Sequence, residues 1–323
     1  MAEEILKITI PPEYARQRFD AVLAELFPDY SRSRLQSWIK KGRVLLDGKQ
    51  PRAKDKVRGD EIIELHVEDE PLNDYCEAQP MALDIVFEDD DVLVINKPVG
   101  LVVHPAAGHN KDTLQNALLY HDKGLEAVPR AGIVHRLDKD TSGLLVVAKN
   151  IKSHKILVDQ LQARTVHREY QAVVNGVMTA GGTVEAAIGR HSRDRKKMAV
   201  REEGGKEAIS HYRVLDRYRG HSRIKVNLET GRTHQIRVHM AHIHYPLVGD
   251  ATYGGRLKLP KGASDELKEE LRNFKRQALH AGKLGLNHPA TGKHIEWSCK
   301  PPADFLQLVK ILEADAADFD ADV

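Results

Sequence analysis

Apolar positions fall into two textures along the chain. Phe19, Val22, Leu23 and Leu26 recur at helical spacing, and Pro28 closes the run, so a helix is predicted there. A second helix follows, with Ser31 as its cap, Leu35, Trp38 and Ile39 on its inner face, and Gly42 as its stop. Val44-Leu45-Leu46 reads as a strand entering an Asp47-Gly48 hairpin turn, and Glu61 to Val67 reads as another strand. From Leu83 onward, short β-rich runs take over: Leu83–Phe87, Val92–Ile95, Leu101–Val103, Leu144–Ala148, Tyr170–Val174, His211–Leu215 and Arg223–Leu228. Helical patterns interrupt them at Thr113–Tyr120, Ile151–Ala163 and Ser264–Arg276. A strand pair is predicted around His280–Leu286 and Lys293–Trp297, then a final helix from Ala303. Many strands with few helices argue for an α+β domain on a largely antiparallel mixed sheet. The βα alternation is too irregular for a dinucleotide-binding fold.

Charge sharpens this division. The 323 residues carry 49 Lys and Arg against 47 Asp and Glu, a net charge of +2 that by itself predicts no partner. Its distribution is uneven. Ser31 to Arg58 holds ten basic residues and two acids, whereas Gly59 to Asp91 holds thirteen acids and no Lys or Arg. Ala187 to Arg237 holds fourteen basic residues and six acids, and Glu313 to Val323 holds five acids and no base. Two basic blocks separated by an acidic one suggest two surfaces for a polyanion. The expected organisation is a small module with its acidic linker over residues 1–75, then a catalytic domain over 76–323 with an acidic tail. The linker and tail are expected to face away from the polyanion, or to keep the basic faces from binding indiscriminately.

Cys76 and Cys299 are far apart and form no C-x-x-C pair, which argues against a disulfide framework and points to a reducing compartment, the cytoplasm. No basic-then-apolar leader precedes the first module, and no apolar run approaches the roughly 20 residues of a bilayer span. Membrane association is therefore not expected.

Two segments are dense in chemistry. Gly132 to Val147 places His135, Arg136, Asp138, Lys139 and Asp140 between apolar runs, closed by Thr141-Ser142-Gly143. A polar loop held by rigid elements on both sides is where reactive groups tend to sit. Asp138 is the candidate nucleophile or base. An Asx or ST turn there is compatible with that role. An Asp138/Asp140 metal pair is disfavoured because Arg136 and Lys139 already supply positive charge. The second segment, Leu228 to His239, turns at Gly231 and enters a helix with Thr233 as the expected cap. Arg237 would point back toward the helix start, within reach of a carboxylate on another loop, with Arg232 as its alternative. His234, His239, His242 and His244 match no zinc spacing and read as structural histidines. Tyr170, opening a strand after His167-Arg168-Glu169, reads by default as a core tyrosine. No G-x-x-x-x-G-K-[ST], G-x-G-x-x-G or G-x-S-x-G motif is present, so nucleotide-cofactor and α/β-hydrolase chemistry lack support.

The helix–helix–basic turn–strand pattern over residues 16–68 resembles the S4 RNA-binding module. Arg32, Arg34, Lys40, Lys41 and Arg43 are its candidate phosphate contacts, although a solvated charged helix face is the commoner origin of such residues. The later segments, taken in order, resemble the RluA-type family of pseudouridine synthases. His135-Arg136-Leu137-Asp138 with Thr141-Ser142-Gly143 matches its first motif, Arg168-Glu169-Tyr170 its second, and Thr230 to Arg237 its third. Asn96-Lys97-Pro98, Gly100, His104-Pro105, Pro246 to Asp250 and Tyr253-Gly254 are also family-like.

That resemblance implies isomerisation of uridine to pseudouridine with no cofactor and no metal, by a monomer. It implies 23S ribosomal RNA or an assembling large ribosomal subunit as partner, with the helix 69 stem-loop as the target region. Asp138 would be the catalytic aspartate, Arg237 its partner, and Tyr170 the ring stacking on the target base. Arg136 would fill the space left by the extruded nucleotide, since the reacting atoms are hidden while the base is stacked. Leu137 and Ile236 would wall the pocket. Arg232 and the block holding Arg193, Arg195 and Lys196 would bind RNA. The competing readings are a non-catalytic RNA-binding assembly factor and a metal-dependent nuclease.

Overall fold

The computed structural model describes residues 4–28, 30, 32–67, 76–104, 111–194 and 197–321, with the backbone alone for residues 4, 32–34, 320 and 321. Contacts divide the chain into two compact units, Met1–Glu70 and Pro71–Val323.

In the first unit, strands β1 (Glu4–Thr9), β2 (Val44–Leu46) and β3 (Ile62–Val67) form an antiparallel sheet in the order β1-β3-β2. Helices α1 (Phe19–Leu26) and α2 (Arg32–Lys40) complete it. Phe19, Val22 and Leu23 of α1 meet Leu35, Trp38 and Ile39 of α2 over Val44, Ile63 and Leu65. Each aliphatic chain buried this way contributes about 1.5–3 kcal/mol of transfer free energy. Asp47 (φ 49°) and Gly48 (φ 73°) make the two-residue turn, closed by mutual Leu46–Lys49 backbone hydrogen bonds of 2.8 and 3.0 Å. The strand β1 is an addition to the expected elements. It pairs with β3, more than fifty residues away, so no local turn announces it.

The second unit is built on a nine-stranded sheet. Its strands are β4 (Ile85–Glu88), β5 (Val92–Lys97), β6 (Ser142–Ala148), β7 (His167–Asn175) and β8 (Gly182–Glu185). Strands β9 (Ile188–Arg190) and β10 (Met198–Val200) form a separate hairpin. The sheet is completed by β11 (Ile209–Arg217), β12 (His221–Leu228), β13 (Leu279–Asn287) and β14 (His294–Ser298). Its order is β4-β5-β6-β13-β7-β12-β11-β8, with β14 beside the far half of β13. All pairings are antiparallel except β6 with β13. The α+β, largely antiparallel expectation holds. Leu101–Val103 is not a strand: Val102 makes a single bridge to Thr113.

The helices are α3 (Leu114–His121), α4 (Ile151–Gln162), α5 (Gln235–His242), α6 (Asp265–Asn273) and α7 (Ala303–Ala321). Strand alternation sorts the core into layers. Leu145 and Val147 of β6 join Tyr170, Ala172 and Val174 of β7, together with α3 and the inner side of α5. Leu144 and Val146 instead meet Leu157 of α4. Val173 meets Leu267 and Leu271 of α6 and Phe305, Leu308 and Leu312 of α7. The expected acidic tail is largely part of α7. Asp315 is 4% exposed, accepts from the Ser264 N–H at 2.7 Å and pairs with Arg219 at 3.3 Å. It is therefore a docking residue and not a free surface charge. Asp322 lies outside the described residues. No helix among the described residues is long and apolar enough to cross a membrane.

Candidate active site

Residues 133–141 leave a 3-10 turn, Pro129–Gly132, and enter β6; Asp138 lies in this loop. The parallel step between β6 and β13 fixes its exit. Gly143 sits at φ 116°, and a Cβ there would lie 2.2 Å from the Ala281 carbonyl oxygen, so only glycine fits. Buried side chains hold the loop from behind. The ammonium of Lys97, fully buried at the end of β5, donates to the carbonyls of Pro98 (2.8 Å), Leu101 (2.9 Å) and Lys139 (3.0 Å). Burial lowers its pKa to about 8, against the opposing pull of Asp140 and Asp138. Three carbonyls on one nitrogen call for the three protons of the charged form. Arg276 donates to the Asp140 carbonyl at 3.3 Å, Gln277 to Thr141 Oγ1 at 3.0 Å, and Ser142 Oγ lies 3.0 Å from His280 Nδ1. His135 also belongs to this frame. Its Nε2 accepts from the Val146 N–H at 3.1 Å, and burial, with the Arg168 charge, drives its pKa down to about 3.

Arg237 reaches Asp138 from α5, with Nη1 donating to Oδ2 at 2.9 Å. The rest of its guanidinium forks onto Asp250 at 2.7 and 2.9 Å. Asp250 has no exposed side-chain surface. Burial alone would raise its pKa, yet the Arg237 hydrogen bonds and charge, with the N–H groups of Tyr253 and Thr252, hold it below the ordinary value. The face of Tyr253 lies 5.0 Å from the Arg237 guanidinium carbon. One carboxylate, one guanidinium and a second, buried carboxylate thus form a line ending at Asp138.

The start of α5 departs from expectation. The helix is capped by His234 in a left-handed conformation (φ 57°), not by Thr233. Gln235 closes the turn instead: its Oε1 accepts from the Arg232 N–H and the Thr230 hydroxyl, and its Nε2 donates to the Ile209 carbonyl. The strained backbone turns His234 into the site, with Nε2 3.9 Å from Asp138 Oδ1 and Nδ1 2.8 Å from the Tyr253 hydroxyl. That hydroxyl also accepts from the Met198 N–H at 2.9 Å, so it ties His234 Nδ1 to the β9–β10 hairpin. Burial, then the opposing Asp138 and Arg237 charges, leaves the His234 pKa below its ordinary value. His234 therefore lies beside Asp138 at the cleft, where the sequence suggested only a structural histidine. His239 does read as structural, bonded to Ser210 Oγ and the Ala186 carbonyl at 2.9 Å each. Arg232 donates to the Glu207 carbonyl at 2.9 Å and makes no ion pair with Asp138.

These groups open onto a cleft of about 940 Å³. Tyr170, 6% exposed, lines it from β7, and Leu137 and Ile236 are apolar wall residues. Arg136 is exposed and also lines it, as do Arg168 and Arg232. The basic block around Arg193 forms the β9–β10 hairpin, which packs through Ile188, Met198 and Val200 on Val238 of α5 and on Tyr253. Arg193 is exposed in its turn, whereas Arg195 and Lys196 lie outside the described residues. In the first unit, Lys40 and Lys41 are exposed and Arg43 is half-buried, and the side chains of Arg32 and Arg34 lie outside the description. Among the described residues, only Asp89, Asp91 and His288 gather in metal-ligating geometry, and their oxygens already bond Ser153, Asn150, backbone N–H groups and His288. Asp138 and Asp140 do not form such a group.

Sequence reasoning had no role for Asp250, Tyr253, Lys97 or Arg276. Asp250 and Tyr253 fall in a run noted only for its family likeness, and their partners are set by the crossing of α5, which no local pattern encodes.

Comparison with known proteins places this geometry. A model for RNA pseudouridylate synthase matches residues 91–242, which include Asp138, Tyr170 and Arg237, and an S4 domain model matches residues 17–63. The chain is 56% identical over 310 residues to ribosomal large subunit pseudouridine synthase D of Pseudomonas aeruginosa, covering 96% of each chain. It is 55% identical to the protein of the same name in Xanthomonas campestris, covering 95% of this chain and 92% of that one. Among solved structures, human RNA pseudouridylate synthase domain containing 4 superposes with a TM-score of 0.56 at 26% identity, covering 71% of this chain and 92% of that one. Human RNA pseudouridylate synthase domain containing 1 gives 0.52 at 28% identity, covering 69% and 86%. With more than half its residues shared across nearly its whole length, and with its cleft inside the matched segment, this chain belongs to the RNA pseudouridylate synthase family.

Proposed function

We propose that this chain isomerises uridine to pseudouridine in 23S ribosomal RNA, with the helix 69 stem-loop as its target region and the RNA or an assembling large subunit as its partner. Residues 1–75 would serve as the RNA-gripping module and residues 76–323 as the catalytic part. The reaction breaks the N1–C1′ bond and forms C5–C1′ within one nucleotide, so no atom enters or leaves except the proton lost from C5 and gained at N1. The observation that carries the reading is the buried line Asp250–Arg237–Asp138 opening on a cleft. Arg237 occupies Oδ2 of Asp138 and leaves Oδ1 for the substrate. That oxygen would either attack C1′ or take a proton from C2′ on a route through a glycal. Tyr170 would stack on the base, and Arg136 would fill the gap left when the base is extruded, a step that costs a few kcal/mol. The relatives' printed names support the large-subunit RNA as substrate. The chemistry would run in the cytoplasm on a monomer, with no cofactor.

The deciding experiment uses Asp138→Asn and a large-subunit RNA transcript. Pseudouridine formation is expected to fall to background while RNA affinity stays within about twofold, because a charge in the cleft is removed and no phosphate contact is lost. Turnover near wild type would overturn the assignment of Asp138. Full rescue of large-subunit assembly by this variant would favour an added assembly role.

A further inference from the structure

Among the described residues, three arginines are less than 9% exposed: Arg168, Arg237 and Arg276. Two are neutralised. Arg237 is held by Asp138 and Asp250, and Arg276 by a two-point bond to Asp304. Arg168, 6% exposed at the start of β7, has no carboxylate partner among the described residues. Its Nη2 donates to the Glu229 carbonyl oxygen at 3.2 Å, and its Nε is buried with no acceptor. The Glu229 carboxylate is turned to Arg164 and His211. A buried guanidinium without a counter-charge is strongly unfavourable in the isolated protein. Its stem packs in the wall of the substrate cleft, between the Asp138 loop and the turn at Gly231.

Gly231 supplies a second observation. A Cβ at this position would come 2.6 Å from Arg168 Nη1. A side chain there would press on the guanidinium where both residues line the cleft. Five donors in a planar fork with one carbonyl acceptor, on the lining of the cleft, make a receptor for a tetrahedral oxyanion.

We propose that Arg168 is an anion receptor built into the cleft, which takes a phosphate of the RNA chain beside the target nucleotide. This deepens the reading of the cleft given above and rests on it for the identity of the phosphate. Arg130 and Arg136, exposed around the same cleft, then act as general phosphate attraction, while Arg168 fixes register at one phosphate. The protein accepts an uncompensated charge when empty, and substrate completes the pair.

The test compares the full chain with Arg168→Met, which keeps the packed stem, and with Arg168→Lys, which keeps the charge but not the fork. Inorganic phosphate is the first probe. The wild type is expected to melt higher in phosphate than in an uncharged buffer at matched ionic strength. Arg168→Met is expected to melt at or above the wild type without phosphate and to lose that response. On an RNA transcript, KM is expected to rise about tenfold in Arg168→Met and less in Arg168→Lys, with the loss falling on KM more than on kcat. The log–log salt dependence of binding should become shallower by about one phosphate contact. If either variant keeps the wild-type KM and salt slope, or if Arg168→Met melts well below the wild type while the phosphate response persists, the arginine is a fold element and the proposal fails. Wild type that makes no pseudouridine would sink the reading of the cleft instead, while the phosphate response would still report on Arg168.

Discussion

His234 shows how one residue's backbone serves the chemistry. A left-handed φ of 57° in a non-glycine residue costs of order 1 kcal/mol, and here it turns the imidazole toward Asp138. The ring is oriented only through Tyr253, whose hydroxyl links it to the Met198 N–H of the basic hairpin. Tyr253→Phe should therefore lower kcat about tenfold with KM nearly unchanged, since one buried hydrogen-bonded group is lost from each side. Steady-state kinetics on an RNA transcript decide this, and an unchanged kcat would mean that the Tyr253 contact does not position His234 for the reaction. His135 and His221 make a separate, pH-dependent contribution. Burial holds His135 at about 3 and His221 at about 4, both below the ordinary 6.5. Between pH 6.5 and 4, the unfolded chain binds these protons and the folded chain does not, so stability falls as pH falls. The slope is up to about 1.4 kcal/mol per pH unit for each histidine. Urea denaturation across that window should show it, and His135→Gln should flatten it. At this scale, the pairing of Arg237 with Asp138 was readable from residue type and motif order, and the structure brings the two together with Tyr170 on the same cleft. Asp250 was not, because its meaning depends on a guanidinium thirteen residues away whose direction is set by α5.

Elements were legible wherever periodicity and a cap coincide. Helix α3 starts behind Thr113, whose side chain and that of Asn116 cap each other's backbone, and α6 starts behind Ser264. Strands β8, β9 and β10 were missed because they are three or four residues long, half-exposed, and defined by pairing rather than alternation. One of the C-terminal acids has a role composition could not show. The apolar row Phe305, Leu308, Leu312 extends α7 into the acidic segment and buries Asp315 against Arg219, while Glu313 and Asp318 stay exposed. Arg219 also lies 4.1 Å from the ring of Phe319, so the last turns close over the pair. Asp315→Ala leaves the half-buried Arg219 guanidinium without its carboxylate and frees the Ser264 N–H. A loss of about 3 kcal/mol is expected in denaturant titration, with turnover per folded molecule unchanged. A loss below about 0.5 kcal/mol would mean that α7 docks by its apolar face alone.

At the scale of the whole molecule, a net charge of +2 is the sum of opposed surfaces, and the structure shows which charges are committed internally. Asp250 and Asp304 hold buried arginines, Asp315 holds the half-buried Arg219, and on the surface Arg164 is paired with Glu207 and Glu229. The first three pairs are committed inside the fold. Exposed cations include Lys40 and Lys41 at the exit of α2 and Arg193 in the β9–β10 turn. An S4 domain model matches residues 17–63, and the first pair are the phosphate contacts proposed for that module. Contacts of that kind are read by salt, since each neutralised phosphate adds about 0.7 to 0.9 to the log–log slope of affinity against salt. Replacing Lys40 and Lys41 with alanine should therefore make the slope shallower by about 1.5. Arg193→Ala should remove about half as much. Filter binding of a large-subunit RNA transcript over a range of salt measures both. A slope unmoved by the double substitution would mean that the first unit is held on its partner by something other than phosphate, and that the cleft-bearing unit alone carries the electrostatic affinity.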